Sequence, residues 1–252
     1  MSEAHNVKRQ RLDQLLTELG HFESRARARD AILRGTVSVD GGVCSKPGAK
    51  TPANAVIAID DPAQGYVSRA ALKLVAGLDH FGFEPAERTI LDIGASTGGF
   101  TQALLERGAS HVIAIDVGQG QLHESLLADN RVTNREGLNA RDLPSDITGG
   151  QKIGAVVSDV SFISLRLALP KALDMVAPGG FCVLLVKPQF EAGKAAIGKG
   201  GILRDPEAGP KIADDLSAWL DSLPGWNSLG FIPSPIEGSD GNREFLLGGA
   251  RS

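Results

Sequence analysis

From residue 89 onward, short apolar runs alternate with helix-patterned stretches, and this alternation restricts the fold more than any other feature of the chain. Thr89–Ile93, Val112–Asp116, Val132–Arg135, Ala155–Asp159 and Phe181–Val186 read as strands, with helices over Phe100–Arg107 and Leu165–Val176 between them. Strands joined through helical crossovers pair in parallel, so both faces of the sheet must be covered and the strands must be apolar. The fold class that follows is α/β, a doubly wound and mostly parallel sheet. Pro178-Gly179-Gly180 reads as the turn into the strand Phe181–Val186, Ile212–Leu220 as a helix, and Leu229–Ile232 with Glu244–Leu247 as a closing hairpin. Ligands of such sheets lie beyond the carboxyl ends of the strands, where Gly94, Asp116, Asp159 and Lys187 fall.

The first sixty residues follow a different pattern. Leu12, Leu15, Leu16 and Leu19 recur at helical spacing until Gly20, and Ser24 is placed to cap a second helix, Arg25–Arg34, that stops at Gly35. Thr36–Val39 is a short strand and Asp40-Gly41-Gly42 a hairpin turn. Residues 1–60 carry nine basic and seven acidic groups, net +2, whereas the remainder is net −6. A positive head on a negative body suits a polyanion-binding module. Arg11-Leu12-Asp13, Ser24-Arg25, Ile32, Gly35 and Val37–Gly41 together resemble the S4 RNA-binding domain. The resemblance implies RNA contacts from Arg9, Arg11, Arg25, Arg29 and Arg34, joined from the second domain by Arg69. With Asp61–Gly65 read as a linker, the division is residues 1–62 and 63–252.

Several classes are excluded early. The two cysteines, Cys44 and Cys182, form neither a disulfide framework nor a paired metal motif, and the five histidines lack ligand spacing, so no metal is expected. The longest strongly apolar run, Phe181–Val186, is far too short to span a bilayer, and residues 1–5 lack a signal-peptide core. The expectation is a cytoplasmic protein without a membrane partner, with a monomer favoured.

The chemistry concentrates at the strand ends. Gly94-Ala95-Ser96-Thr97-Gly98-Gly99 follows a strand and opens a helix at Phe100, a place where glycines let a ligand approach the backbone. It is neither a P-loop nor a GxGxxG turn, which argues against nucleotide hydrolysis and hydride transfer. Asp92 before the turn and Asp116 at the end of the next strand suit a nucleoside, because an acid at that spacing accepts from ribose hydroxyls. LDIGASTGGF followed by AIDVG resembles the cofactor turn and acidic loop of class I S-adenosylmethionine (SAM) methyltransferases, which have a Rossmann-like sheet. The resemblance implies SAM on Asp92, Gly94, Ser96, Thr97, Gly98, Gly99, Phe100, Asp116, Asn139 and Asp159.

Methyl transfer to oxygen needs an aligned nucleophile and a base. Lys187 directly follows an apolar strand, and partial desolvation lowers a lysine pKa from roughly 10.4 towards use as a base. Lys73, Asp159, Lys187 and Glu244, in this order, are similar to the Lys-Asp-Lys-Glu tetrad of FtsJ-type RNA ribose 2′-O-methyltransferases. An S4 head joined to that domain resembles the TlyA (hemolysin-A-type) family, which implies methylation of cytidine 2′-hydroxyls in 16S and 23S ribosomal RNA, with rRNA or ribosomal subunits as partners. That family more often has Thr where Leu138 stands, while Asn139 and Arg141 match. Arg11-Leu12-Asp13 also resembles a pseudouridine synthase motif, but the Thr expected three residues on is Leu16. Two other classes compete: a noncatalytic RNA-binding protein that kept the sheet as scaffold, and a membrane-lytic protein. The Gly-rich stretch Gly193–Pro210 reads as a flexible loop over the site, with Lys194 and Lys199 either clamping phosphates or merely solvated.

Overall fold

The computed structural model describes residues 9–238 and 241–252. It divides into two compact units, one ending at Gly65 and one running from Tyr66 to Ser252, so the boundary falls after Gly65 rather than after Pro62. The stretch expected to be a linker is the clasp of the first unit. Asp61 receives both Arg34 Nη1 and Nη2, at 2.7 and 2.8 Å, and the Ala63 amide at 2.9 Å.

In the first unit, β1 (Arg9–Arg11) pairs antiparallel with β4 (Lys50–Pro52), flanking the helices α1 (Leu12–Glu18) and α2 (Arg25–Leu33). The strand β2 (Val37–Val39) lies between β3 (Gly42–Val43) and β5 (Ile57–Ile59). Ser24 Oγ accepts from the Arg27 amide and caps α2. Asp40 (φ 51°) and Gly41 (φ 82°) form a two-residue turn whose left-handed backbone matches the strand twist. The core is small: Leu12, Leu16, Phe22, Ala28, Ala31, Ile32 and Val37.

The second unit begins with α3 (Ala71–Phe81), followed by β6 (Thr89–Ile93), α4 (Gly99–Glu106), β7 (His111–Asp116), α5 (Glu124–Leu127) and β8 (Val132–Glu136). It continues with β9 (Ile153–Ser158), α6 (Leu165–Ala168), α7 (Pro170–Asp174), β10 (Val176–Val186), α8 (Pro188–Glu191), α9 (Ala208–Asp221), β11 (Trp226–Pro233) and β12 (Phe245–Arg251). The seven strands are ordered β11-β12-β10-β9-β6-β7-β8. From β10 to β8 the pairs are parallel, while β12 is antiparallel to both β10 and β11.

Side chains alternate across the sheet, as the pleat requires. Leu91 and Ile93 of β6 enter the core shared with Val156, Leu184 and Leu216, whereas Ile90 packs on the opposite face with Leu74, Leu78 and Phe100. The helix expected over Leu165–Val176 is broken at Leu169 into α6 and α7, because Pro170 has no amide to continue the ladder. Pro178-Gly179-Gly180 is not a turn before a strand; it lies inside β10 as an irregularity in pairing with β9. The Gly193–Pro210 stretch is folded on itself by two 3-10 turns, Lys194–Ala196 and Lys199–Gly201, and an Ile197–Leu203 bridge. Asn242 pins it, accepting from the Leu203 amide and donating to the Gly201 carbonyl, each at 3.0 Å. Among the described residues, no helix is long and apolar enough to cross a membrane.

Candidate active site

The parallel strands β6, β7, β9 and β10 all point their carboxyl ends at one edge of the sheet, and β12, running the other way, starts there. Val186 is paired with Phe245, so Lys187 and Glu244 step off adjacent strands at that edge. The fold thus gathers residues widely separated in sequence.

The glycine turn after β6 is built by close approach. Gly94 holds φ 85°, and a Cβ there would lie 3.0 Å from the Asp159 carbonyl group and the Val160 amide. Ser96 has a left-handed backbone at φ 48°. Its amide donates to Asp116 Oδ2 at 2.8 Å, while the Gly118 amide donates to Asp116 Oδ1 at 2.7 Å. Asp116 therefore fixes the turn and the loop after β7 while still facing the cavity they enclose.

That cavity measures about 460 Å³ and is lined by Gly94, Ser96 and the carboxylate of Asp116 together with the apolar Val117, Leu138 and Ile163. Asn139 also lines it, with its side chain held by the Arg141 amide at 3.0 Å. A smaller cavity of about 150 Å³ shares Gly94, Ser96, Asp159 and Ser161 with the first and adds Thr97, Gly99, Phe100 and Lys187. An apolar slot, a carboxylate and exposed glycine backbone fit a nucleoside cofactor, with a second, more polar chamber beside it.

Two of the predicted cofactor residues lie elsewhere. Asp92 lines neither cavity: it is fully buried, and Thr101 Oγ1 donates to its Oδ2 at 2.6 Å. Burial pushes its carboxyl up to about 7, with Thr101 opposing and the charge of Asp159 adding to the rise. Gly98 lines neither cavity and is needed for space, since a Cβ would overlap Leu126 and Leu122.

The four candidate catalytic residues are arranged as two ion pairs. Lys187 Nζ lies 2.6 Å from Asp159 Oδ1 and donates to Ser161 Oγ at 2.7 Å. Lys73 Nζ lies 2.5 Å from Glu244 Oε2, with both residues buried. Burial raises the Glu244 carboxyl above its ordinary range, and the positive charges of Lys73 and Lys187 offset part of the rise. Cys182 is sealed inside β10, where burial pushes its thiol up, so it does not serve as a nucleophile.

The basic residues separate into two groups. Arg9, Arg11, Arg25 and Arg29 are exposed, with Arg11 and Arg25 both ion-paired to the buried Asp13 at 2.9 and 3.2 Å. Arg34 does not belong with them: it is mostly covered and occupied by Asp30 and Asp61, which makes it a structural brace. Arg69 is half-buried just before α3.

Sequence reasoning passed over Ser161 and Phe162. Phe162 is 90% exposed, sits at φ 66°, and leans on Phe190 with ring centroids 5.0 Å apart. Its mark is left-handed backbone at a bulky residue on a cavity wall, a property that no sequence pattern carries.

Residues 66–251 match the FtsJ-like methyltransferase family, and residues 10–57 match the S4 domain. The chain is 42% identical to the 16S/23S rRNA (cytidine-2′-O)-methyltransferase TlyA of Mycobacterium tuberculosis, over 96% of this chain and 90% of that one. It is 40% identical to Hemolysin A of Brachyspira hyodysenteriae, over 94% of this chain and 98% of the relative. A solved structure of a Streptococcus thermophilus protein named as a hemolysin superposes with a TM-score of 0.73 at 38% identity, covering 98% of this chain and 90% of that one. An FtsJ-like domain that follows an S4 domain in the chain, together with 42% identity over nearly the whole length of such a relative, shows that the chain belongs to the TlyA family of methyltransferases.

Proposed function

We propose that this protein methylates the ribose 2′-hydroxyl of cytidines in 16S and 23S ribosomal RNA, in the cytoplasm and as a monomer, with SAM as methyl donor. The observation that carries the reading is the Lys187–Asp159 pair, which lies on the small chamber opening directly from the nucleoside cavity. SAM, when bound, supplies a methyl group on a sulfonium, activated towards an attacking oxygen. The glycine turn and Asp116 would hold its nucleoside, with Asn139 and Leu138 also lining the cavity.

The protein's own residues then have separable tasks. Lys187 must first give a proton to solvent, after which its Nζ accepts the proton of the 2′-hydroxyl as the oxygen attacks. Asp159 and Ser161 fix the position of Nζ. Lys73, held by Glu244 and lining neither cavity, would act on the developing oxyanion through its charge. Phe162 offers an exposed ring at the cavity mouth on which an unstacked base can lie. Arg9, Arg11, Arg25 and Arg29 would bind RNA phosphates from the S4 unit, with Arg69 doing so from the other. Cys182 cannot supply the covalent nucleophile that methylation of a cytosine ring carbon requires.

The test replaces the target nucleotide in an rRNA substrate with its 2′-deoxy form. Binding should stay nearly intact and methyl incorporation should vanish. Incorporation at a comparable rate would place the acceptor on the base and overturn the reading.

A further inference from the structure

Between β7 and α5 the chain has no regular structure, yet it forms one wall of the nucleoside cavity through Val117, Gly118 and Gln121. Its conformation is set from outside. Glu136, the last residue of β8, accepts the amides of three consecutive residues: Gly120 on Oε2 at 2.6 Å, and Gln121 and Leu122 on Oε1 at 2.8 and 3.0 Å. Gly120 and Gln121 are exposed, so burial does not hold these amides in place. The segment is also joined to the glycine turn: the His123 amide donates to the Thr97 carbonyl at 3.2 Å, and Leu122 fills the space beside Gly98. The adjoining Gly137 amide donates to the Gly118 carbonyl at 2.9 Å. Glu136 itself lines neither cavity.

We propose that Glu136 is a positioning residue for the nucleoside cofactor: its carboxylate is a template that gathers three backbone amides and thereby presets the wall carrying Gly118 and Gln121 against Asp116. The inference rests on the cofactor reading above. Both oxygens are used, so an amide in place of the carboxylate would turn an NH₂ group towards an N–H donor and release at least one of the three contacts. A wall that must be ordered on binding weakens affinity without touching the reacting atoms.

The experiment uses the full chain, with SAM as the probe. Glu136→Gln should raise the dissociation constant for SAM at least fivefold, while kcat at saturating SAM and the affinity for rRNA stay within twofold. A general loss of structure would move all three together. Unchanged SAM affinity in Glu136→Gln, or a fall in kcat with affinity unchanged, would overturn the proposal. A second measurement needs no variant: in the wild type without SAM, the amides of Gly120, Gln121 and Leu122 should exchange with deuterium at least tenfold more slowly than unstructured amides. Free exchange there would overturn the proposal while leaving the cofactor reading intact. Absence of SAM binding by the wild type would overturn both.

Discussion

Asp92 makes the stability of the methyltransferase unit depend on pH in a particular direction. Its carboxyl is fully buried, receives the Thr101 hydroxyl on one oxygen, and has no hydrogen-bond partner for the other. Burial lifts it from an ordinary 3.8 to about 7. Between those values the folded protein holds a proton that the unfolded chain has released, so stability must fall as pH rises through this window. At about 1.36 kcal/mol per pH unit, the gap corresponds to about 4 kcal/mol, fully present below pH 4 and gone above pH 7. The perturbation is Asp92→Asn, which keeps an acceptor for Thr101 and removes the titration. Both tryptophans, Trp219 and Trp226, lie in this unit, so fluorescence-monitored urea unfolding reports on it directly. The stability of the variant minus that of the wild type should increase by about 2–3 kcal/mol between pH 5 and pH 8. Any constant cost of the buried amide cancels in that difference. Parallel stability curves across the range would show that Asp92 is ionised at pH 5 in the folded state, and the reasoning would be wrong.

Other outcomes follow from the site geometry. Lys187→Ala should abolish methyl transfer while SAM affinity, measured by calorimetry, stays within a few fold, since Nζ faces Asp159 and Ser161. Asp116→Ala should weaken SAM binding by about 1.5–3 kcal/mol, the range for hydrogen bonds to a charged group, and should also loosen Ser96 and Gly118 as seen by amide exchange. Gly94→Ala forces a side chain into left-handed backbone against Asp159, and thermal unfolding should show a loss of at least about 1–2 kcal/mol. The chain from Tyr66 onward should bind SAM like the full chain and lose most affinity for rRNA in filter binding, because the exposed arginines of the S4 unit are gone.

Local signals were readable from the residues alone. The β6–turn–α4 unit follows from an apolar run, glycines and a helical pattern, and the Ser24 cap from a short hydroxyl side chain before a helix. Pairings were not readable. Arg34 looks like any other basic residue on α2 until the fold brings Asp61 onto it from 27 positions away. Nothing in the order of the tetrad says that Lys73 takes Glu244 and Lys187 takes Asp159; β12 sets Glu244 off the strand next to that of Lys187, yet its partner is Lys73 of α3. Asp92 reads as a ligand because it precedes the glycine turn, but strand alternation turns it to the face covered by α3 and α4. Gly193–Pro210 reads as flexible because its glycines are visible and its anchor, Asn242, is far along the chain.

The Lys73–Glu244 pair joins residues 171 apart, and its second member comes with β12, the last-made of the described strands. During synthesis, then, α3 and most of the sheet leave the ribosome well before the counter-charge exists. A buried ammonium without its carboxylate is strongly unfavourable, so α3 cannot dock stably on an unfinished chain. Over the same interval the β10 edge that β12 will cover, with Val183, Leu184, Leu185 and Val186, is open to pairing with other chains. A molecule cut before Glu244 would lack both the edge cover and the pair's support, and should be recovered as aggregate. Completion of the final hairpin is therefore a checkpoint at which solubility and catalytic competence are acquired together.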